Sequence, residues 1–162
     1  MKTLELKDIC GYLSGRILGK HPEGDICWID LAFVAKHGIE LCNYRPVLRP
    51  MSDLTKEIRQ NCYNNSKPFI PIVELACMLE AQGYWRVYGA GAADFGEDDE
   101  SCIAQLVFDG DHFVYTVDDE YDTFNSVAIY DKLNAWMFDY RGLISAGLAV
   151  DVNTLPENPY EL

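Results

Sequence analysis

Cys102-Ile-Ala-Gln-Leu-Val-Phe-Asp-Gly-Asp-His-Phe-Val-Tyr-Thr-Val117 is the stretch on which the fold turns. Two runs rich in β-branched and aromatic residues flank Asp109-Gly110. A two-residue type I′ turn needs positive φ at both central positions, which Asp tolerates and Gly prefers, so the stretch predicts a β-hairpin. With that turn Phe108 faces Asp111, Leu106 faces Phe113, Ala104 faces Tyr115 and Cys102 faces Val117. Strand side chains alternate. Cys102, Ala104, Leu106, Phe108, Phe113, Tyr115 and Val117 therefore share the predicted core face, and Ile103, Gln105, Val107, His112, Val114 and Thr116 share the other.

Outward from the hairpin the chain is acidic. Asp94 to Asp122 holds eleven Asp or Glu in twenty-nine residues and no Lys or Arg. Glu97, Asp98, Asp99 and Glu100 precede the hairpin; Asp118, Asp119, Glu120 and Asp122 follow it. An antiparallel hairpin brings its open ends together, so the two clusters are expected to be neighbours, and these eight residues are the candidate partner-binding set. Three readings compete. One is a solvated acidic edge, screened by water and salt, that discourages edge-to-edge sheet pairing. The others are a docking surface for a basic protein and a cation site. Asp118-x-Glu120-x-Asp122 imitates the start of an EF-hand loop, but Thr123 stands where the sharp turn wants Gly and Ile129 where a bidentate Glu is required. No metal or other cofactor is therefore assigned.

The 162 residues are 49% hydrophobic and 12% aromatic, enough to fold as one domain, 1–162, or as two subdomains that meet at a change of charge. Residues 1–88 carry eleven basic and ten acidic side chains, net +1; residues 89–162 carry two and sixteen, net −14, of the total of −13. The acidic half repels phosphates, so no direct nucleic-acid binding is expected. It attracts basic protein surfaces, which is also how a DNA mimic would act. Cysteines at 10, 27, 42, 62, 77 and 102 form no CxxC pattern. With a charged amino terminus unlike a signal peptide, they predict reduced, mostly buried thiols in the cytoplasm. No apolar run approaches the ~20 residues that span a membrane.

In chain order, Leu4 to Leu13 predicts a short helix with Leu6, Ile9, Cys10 and Leu13 on one face, stopped by Gly15. Arg16-Ile-Leu18, Asp25 to Val34 and Ile39-Glu-Leu-Cys42 predict an antiparallel strand meander. Arg45 to Pro50 reads as extended, because each Arg precedes a Pro. Ser52 predicts a helix cap, with Leu54, Ile58 and Cys62 as the apolar line. Lys67-Pro-Phe-Ile-Pro71 contains PxxP, although Pro beside a first helical turn is the commoner cause. The helix that follows is expected to run to about Gln82, with Ile72, Leu75, Ala76 and Leu79 inward and Gly83 as its cap. Tyr84 to Tyr88 is strand-like. Gly89-Ala-Gly91-Ala-Ala-Asp94 lacks the third glycine of a dinucleotide fingerprint and reads as a flexible linker. Ser126 predicts a C-terminal helix with Ile129, Tyr130, Leu133, Trp136, Met137 and Tyr140 inward and Gly142 at its end. Leu148 to Val152 reads as a short strand. The class is α+β: short N-terminal helix, antiparallel meander, central helices, acidic hairpin and C-terminal helix.

Three segments, Leu6-Lys-Asp-Ile-Cys-Gly-Tyr-Leu13, Arg45 to Ile58, and Trp136-Met-Phe-Asp-Tyr-Arg-Gly-Leu143 onward to Tyr160, together resemble small uncharacterised proteins encoded by bacterial prophages and related mobile elements. The resemblance covers about a third of the chain. It implies a phage-associated, intracellular setting and supplies no activity or catalytic residue.

No catalytic residue is assigned. Gly11-Tyr-Leu-Ser14-Gly has the wrong spacing for a nucleophile elbow, and Asp94-Phe-Gly96 lacks the rest of a kinase. His21, His37 and His112 form no metal motif. Glycoside chemistry would need one carboxyl kept protonated by burial, which crowded exposed acids do not provide. The expectation is a non-enzymatic phage or mobile-element accessory protein that binds a basic protein through Glu97–Glu100 and Asp118–Asp122, with Tyr121, Phe124 or an exposed Trp as anchor. The competing expectations are a metal-dependent hydrolase using the same acids and a DNA-mimic inhibitor of a nucleic-acid-binding protein.

Overall fold

The computed structural model describes residues 4–14, 17–38, 43–60, 63–81, 83–89, 91–98 and 101–161. Among these the helices are α1 (Leu6–Ile9), α2 (Leu31–His37), α3 (Pro71–Cys77) and α4 (Ser126–Ala135). The strands are β1 (Ile17–Lys20), β2 (Ile26–Ile29), β3 (Arg45–Leu48), β4 (Tyr84–Tyr88), β5 (Ala92–Gly96), β6 (Ala104–Phe108), β7 (Phe113–Val117), β8 (Glu120–Tyr121) and β9 (Val150–Asp151). The protein is α+β, with two sheets. Residues up to Pro50 with Asp131–Tyr160 form one compact unit, and Met51–Tyr130 form the other.

In the Met51–Tyr130 unit the sheet runs β4-β5-β6-β7-β8 in sequence order, each strand antiparallel to the next. The acidic hairpin is its centre. Its core face is the one the alternation predicts: Ala104, Leu106, Phe113 and Tyr115 are buried, joined by Ala93 and Phe95 from β5. The register differs from expectation. Phe108 pairs with Phe113, Leu106 with Tyr115 and Ala104 with Val117, a shift of two residues. The loop centres on Gly110-Asp111, with positive φ at Gly110 alone. The Asp109 carboxylate selects it by accepting from the N–H groups of Asp111 and His112, both at 3.0 Å. Because the side-chain period is two, the shift leaves every residue on its predicted face.

Beside this sheet lies α3, with Pro71 in its first turn as the sequence suggests and Ile72, Leu75 and Ala76 buried. It stops at Cys77, short of Gln82. Glu80, at φ 64, takes the left-handed position, and the Ala81 N–H closes onto the Ala76 carbonyl at 3.2 Å. Gly83 instead opens β4, where a Cβ would stand 2.3 Å from the Gly96 carbonyl oxygen. Gly89–Asp94 is no linker: Ala92 to Gly96 is a paired strand, with Asp94 buried. The helix expected after Ser52 is a single 3-10 turn, Met51–Asp53. Ile58 pairs with Phe69 through two 2.9 Å backbone bonds, which commits it to extended backbone. Cys62 lies outside the described residues.

In the other unit the order is β2-β1-β3-β9, with β9 parallel to β3. The expected strand Asp25 to Val34 splits. After Ile29, Asp30 accepts from the Phe33 N–H at 2.8 Å and caps α2, which Gly38 ends. Ile39 to Cys42 lies outside the described residues, and Arg45–Leu48 supplies the third strand. The first helix is shorter than predicted and turns Ile9 inward, with Leu6 and Cys10 exposed; Tyr12, in the 3-10 turn that follows, is buried. α4 ends at Ala135, not Gly142. Met137 has φ 62, and Arg49 binds both sides of Phe138: its N–H donates to the Met137 carbonyl at 2.7 Å, and its carbonyl accepts from Asp139 at 2.8 Å. The start of α4 belongs to the Met51–Tyr130 stretch, and there Asn125, not Ser126, accepts from the Ala128 N–H. Two tyrosine hydroxyls tie this unit's core to backbone: Tyr12 to Phe138 at 2.7 Å and Tyr160 to Val47 at 2.6 Å.

Leu106 is fully buried at the centre of the five-stranded sheet. Leu106→Ala is expected to destabilise the protein by about 3 kcal/mol through lost burial and the cavity left behind. A lowered urea midpoint with an unchanged slope checks it.

Candidate interaction surface

A meander places the β5–β6 and β7–β8 connections at the same end of the sheet, and these are the two acidic segments. Ile103 joins them: its N–H donates to the Phe95 carbonyl at 2.7 Å, and its carbonyl accepts from Asp118 at 2.8 Å. Glu97 and Asp98 are exposed after β5; Asp118, Asp119, Glu120 and Asp122 are exposed at and after the β7–β8 turn. Asp99 and Glu100 lie outside the described residues. Several of these acids organise their own turns. Asp98 accepts from the Ser101 N–H at 2.8 Å while its own N–H donates to the Ser101 hydroxyl at 3.1 Å, and Asp122 accepts from Thr123 at 2.7 Å. Asp118 and Asp119, at φ 51 and 65, are the central pair of a two-residue turn between Val117 and Glu120, the type I′ pattern that the sequence placed one hairpin earlier.

The chain halves, at +1 and −14, separate the charge more fully than the two units do. Met51–Tyr130 contains four basic and fifteen acidic residues, net −11 of the −13. Of the expected anchors, Tyr121 is 85% exposed, whereas Phe124 is half-buried edge-on to Tyr115 at 6.5 Å. Trp85 is 45% exposed and Trp136 is buried.

Sequence reasoning missed a polar row across the sheet's other face. Asp94 accepts from the Gln105 amide at 2.7 Å and faces the Arg86 guanidinium at 3.9 Å, which also donates to the Ser101 carbonyl at 3.0 Å. The signal was present: Gly89-Ala-Gly91 between two short runs is also a hairpin pattern, and it sets Asp94 opposite Arg86. At the far end of the sheet from the acidic turns, Met51, Tyr88, Gly91, Phe108 and Gly110 line a shallow cleft of about 420 Å³.

Burial, with Asp94 adding to it, raises the Cys102 thiol, and burial with Glu74 raises Cys77, whereas a reactive cysteine needs a lowered pKa. Cys10, Cys77 and Cys102 are exposed and Cys27 half-buried, which corrects the expectation of mostly buried thiols; Cys42, like Cys62, lies outside the described residues. Each histidine has a local neighbour: His21 packs on Tyr44, His37 on Phe33, and His112 faces Asp109 at 3.2 Å. Among the described residues no three His, Cys, Asp or Glu side chains are grouped to hold a metal ion, and no helix is long and apolar enough to cross a membrane. Comparison with protein families, curated proteins and solved structures finds no match to this chain.

Two outcomes follow from the turns. Asp118→Asn with Asp119→Gly installs the pair most at ease at positive φ, so stability is expected to rise by on the order of 1 kcal/mol while two charges are lost; thermal melting measures it. At Asp109, the backbone N–H groups of His112 and Asp111 hold the carboxyl below its ordinary range. Its contribution is therefore complete above about pH 4 and lost as pH falls through the lowered value. In urea midpoints across that acid range, Asp109→Ala is expected to remove this part of the pH dependence.

Proposed function

We propose that this protein is a non-enzymatic accessory of a phage or mobile element that binds a basic protein through the acidic end of its five-stranded sheet. The observation that carries the reading is the concentration of fifteen acidic against four basic residues in Met51–Tyr130, with Glu97, Asp98, Asp118, Asp119, Glu120 and Asp122 exposed at one sheet end. The resemblance of three segments to prophage proteins supports the setting. Like charges this dense act beyond contact distance, because the Debye length at physiological salt is about 8 Å. Such a field accelerates encounter with a cationic surface by ~10–10³ and rejects anionic ones. Tyr121 provides a ring to seat once the surfaces meet.

The test combines salt with charge removal. Glu97→Gln, Asp98→Asn, Asp118→Asn and Asp119→Gly keep the turn hydrogen bonds and lower the acidity. Affinity for a partner captured from host extract at low salt is expected to fall about tenfold in this variant and steeply with added salt. Binding that ignores both sinks the reading. Competition by duplex DNA for the same partner would identify a nucleic-acid-binding target, the DNA-mimic form of the proposal.

A further inference from the structure

We infer that β4 is a docking edge that takes up an extended, cationic segment of the partner as a sixth strand; the sign of that segment's charge rests on the acidic-surface reading above. The two edges of the sheet differ. β8 has two residues, Glu120 and Tyr121, directly after Asp118-Asp119, the short and charged form that resists strand pairing. β4 has five residues, Tyr84-Trp-Arg-Val-Tyr88, with Tyr84, Trp85 and Tyr88 61%, 45% and 45% exposed.

The hydrogen-bond phase of β5 shows which groups β4 leaves outward. The Gly91 and Phe95 carbonyls accept from Phe108 and Ile103, on the β6 side. Alternation then directs Ala92, Asp94 and Gly96 at β4, opposite Tyr88, Arg86 and Tyr84. The N–H and C=O groups of Trp85 and Val87 consequently point away from the sheet: two donors and two acceptors about 7 Å apart, the spacing an added strand matches. Arg86, the strand's one charge, does not guard this edge, because its guanidinium is drawn across the sheet to Asp94 and the Ser101 carbonyl.

Charge chooses the occupant. Glu97 and Asp98 follow Gly96, the residue paired with Tyr84, and the unit's net −11 favours a basic segment whose Lys or Arg stems lie along the exposed rings. A second copy of this chain fits poorly. Antiparallel pairing of two β4 strands through Trp85 and Val87 sets Arg86 against Arg86 and brings two −11 units together.

The experiment titrates the full chain, by amide NMR at low salt, with a capped peptide alternating Lys and Val and with its fully N-methylated analogue. The expected result is that the first peptide slows exchange of the Trp85 and Val87 amides about tenfold, and that the N-methylated peptide and the Val87→Pro variant each lose about tenfold in affinity. Proline there removes only an outward N–H. If both peptides bind alike, with shifts confined to the acidic turns, strand addition is overturned and the acidic docking surface stands. If neither binds, both fall. A dimer by sedimentation that Val87→Pro dissolves overturns the choice of occupant.

Discussion

Side-chain alternation across the β5–β6–β7 ladder is the constraint on which the acidic unit depends. Ala93, Phe95, Ala104, Leu106, Phe113 and Tyr115 are buried together because strand period and antiparallel register put them on one face. A one-residue slip of any of these strands would export that strand's share of them to the other face. A two-residue slip is harmless to the face, and that is the difference between the type I′ hairpin expected at Asp109-Gly110 and the Gly110-Asp111 loop found.

The same ladder sorts the charges. Acids that would be costly inside the sheet sit in its turns, where water solvates them and positive φ suits Asp, as at Asp118 and Asp119. Asp94 is the one carboxylate buried within the described strands, and it carries a hydrogen bond from Gln105 and a cation, Arg86, alongside. Since consecutive strands are joined by short turns, the two acidic turns meet at one end of the sheet. The two proposed contacts differ in range: an acidic field at that end works at distance and is salt-sensitive, whereas strand addition at β4 is short-ranged and sets orientation.

Legibility tracked how local each decision was. The core face of the hairpin, the Pro71 helix start, Tyr84–Tyr88 as a strand and the α+β class follow from periodicity and turn chemistry within a few residues. The misreadings came where two local signals competed. Trp28 to Val34 is β-rich in composition, yet Asp30 and Gly38 bound a helix, and the capping bond to Phe33 decided it. Leu54 and Ile58 have helical spacing, but pairing with Phe69 claimed Ile58. The apolar stripe continues through the buried Trp136 and Met137, yet α4 ends at Ala135, Met137 takes positive φ and Phe138 bridges to Arg49.

The alternating core faces, the acidic excess after Gly89 and the residue types tolerant of tight turns are all legible along the chain. These are properties of neighbours along the chain, set by side-chain geometry and charge. Folding alone makes Asp94 a buried partner of Gln105, ties Ile103 to both Phe95 and Asp118, and puts β4 at the end of the strand order. Strand order and hydrogen-bond phase are pairwise facts between segments, and no single segment encodes which side of it another will occupy.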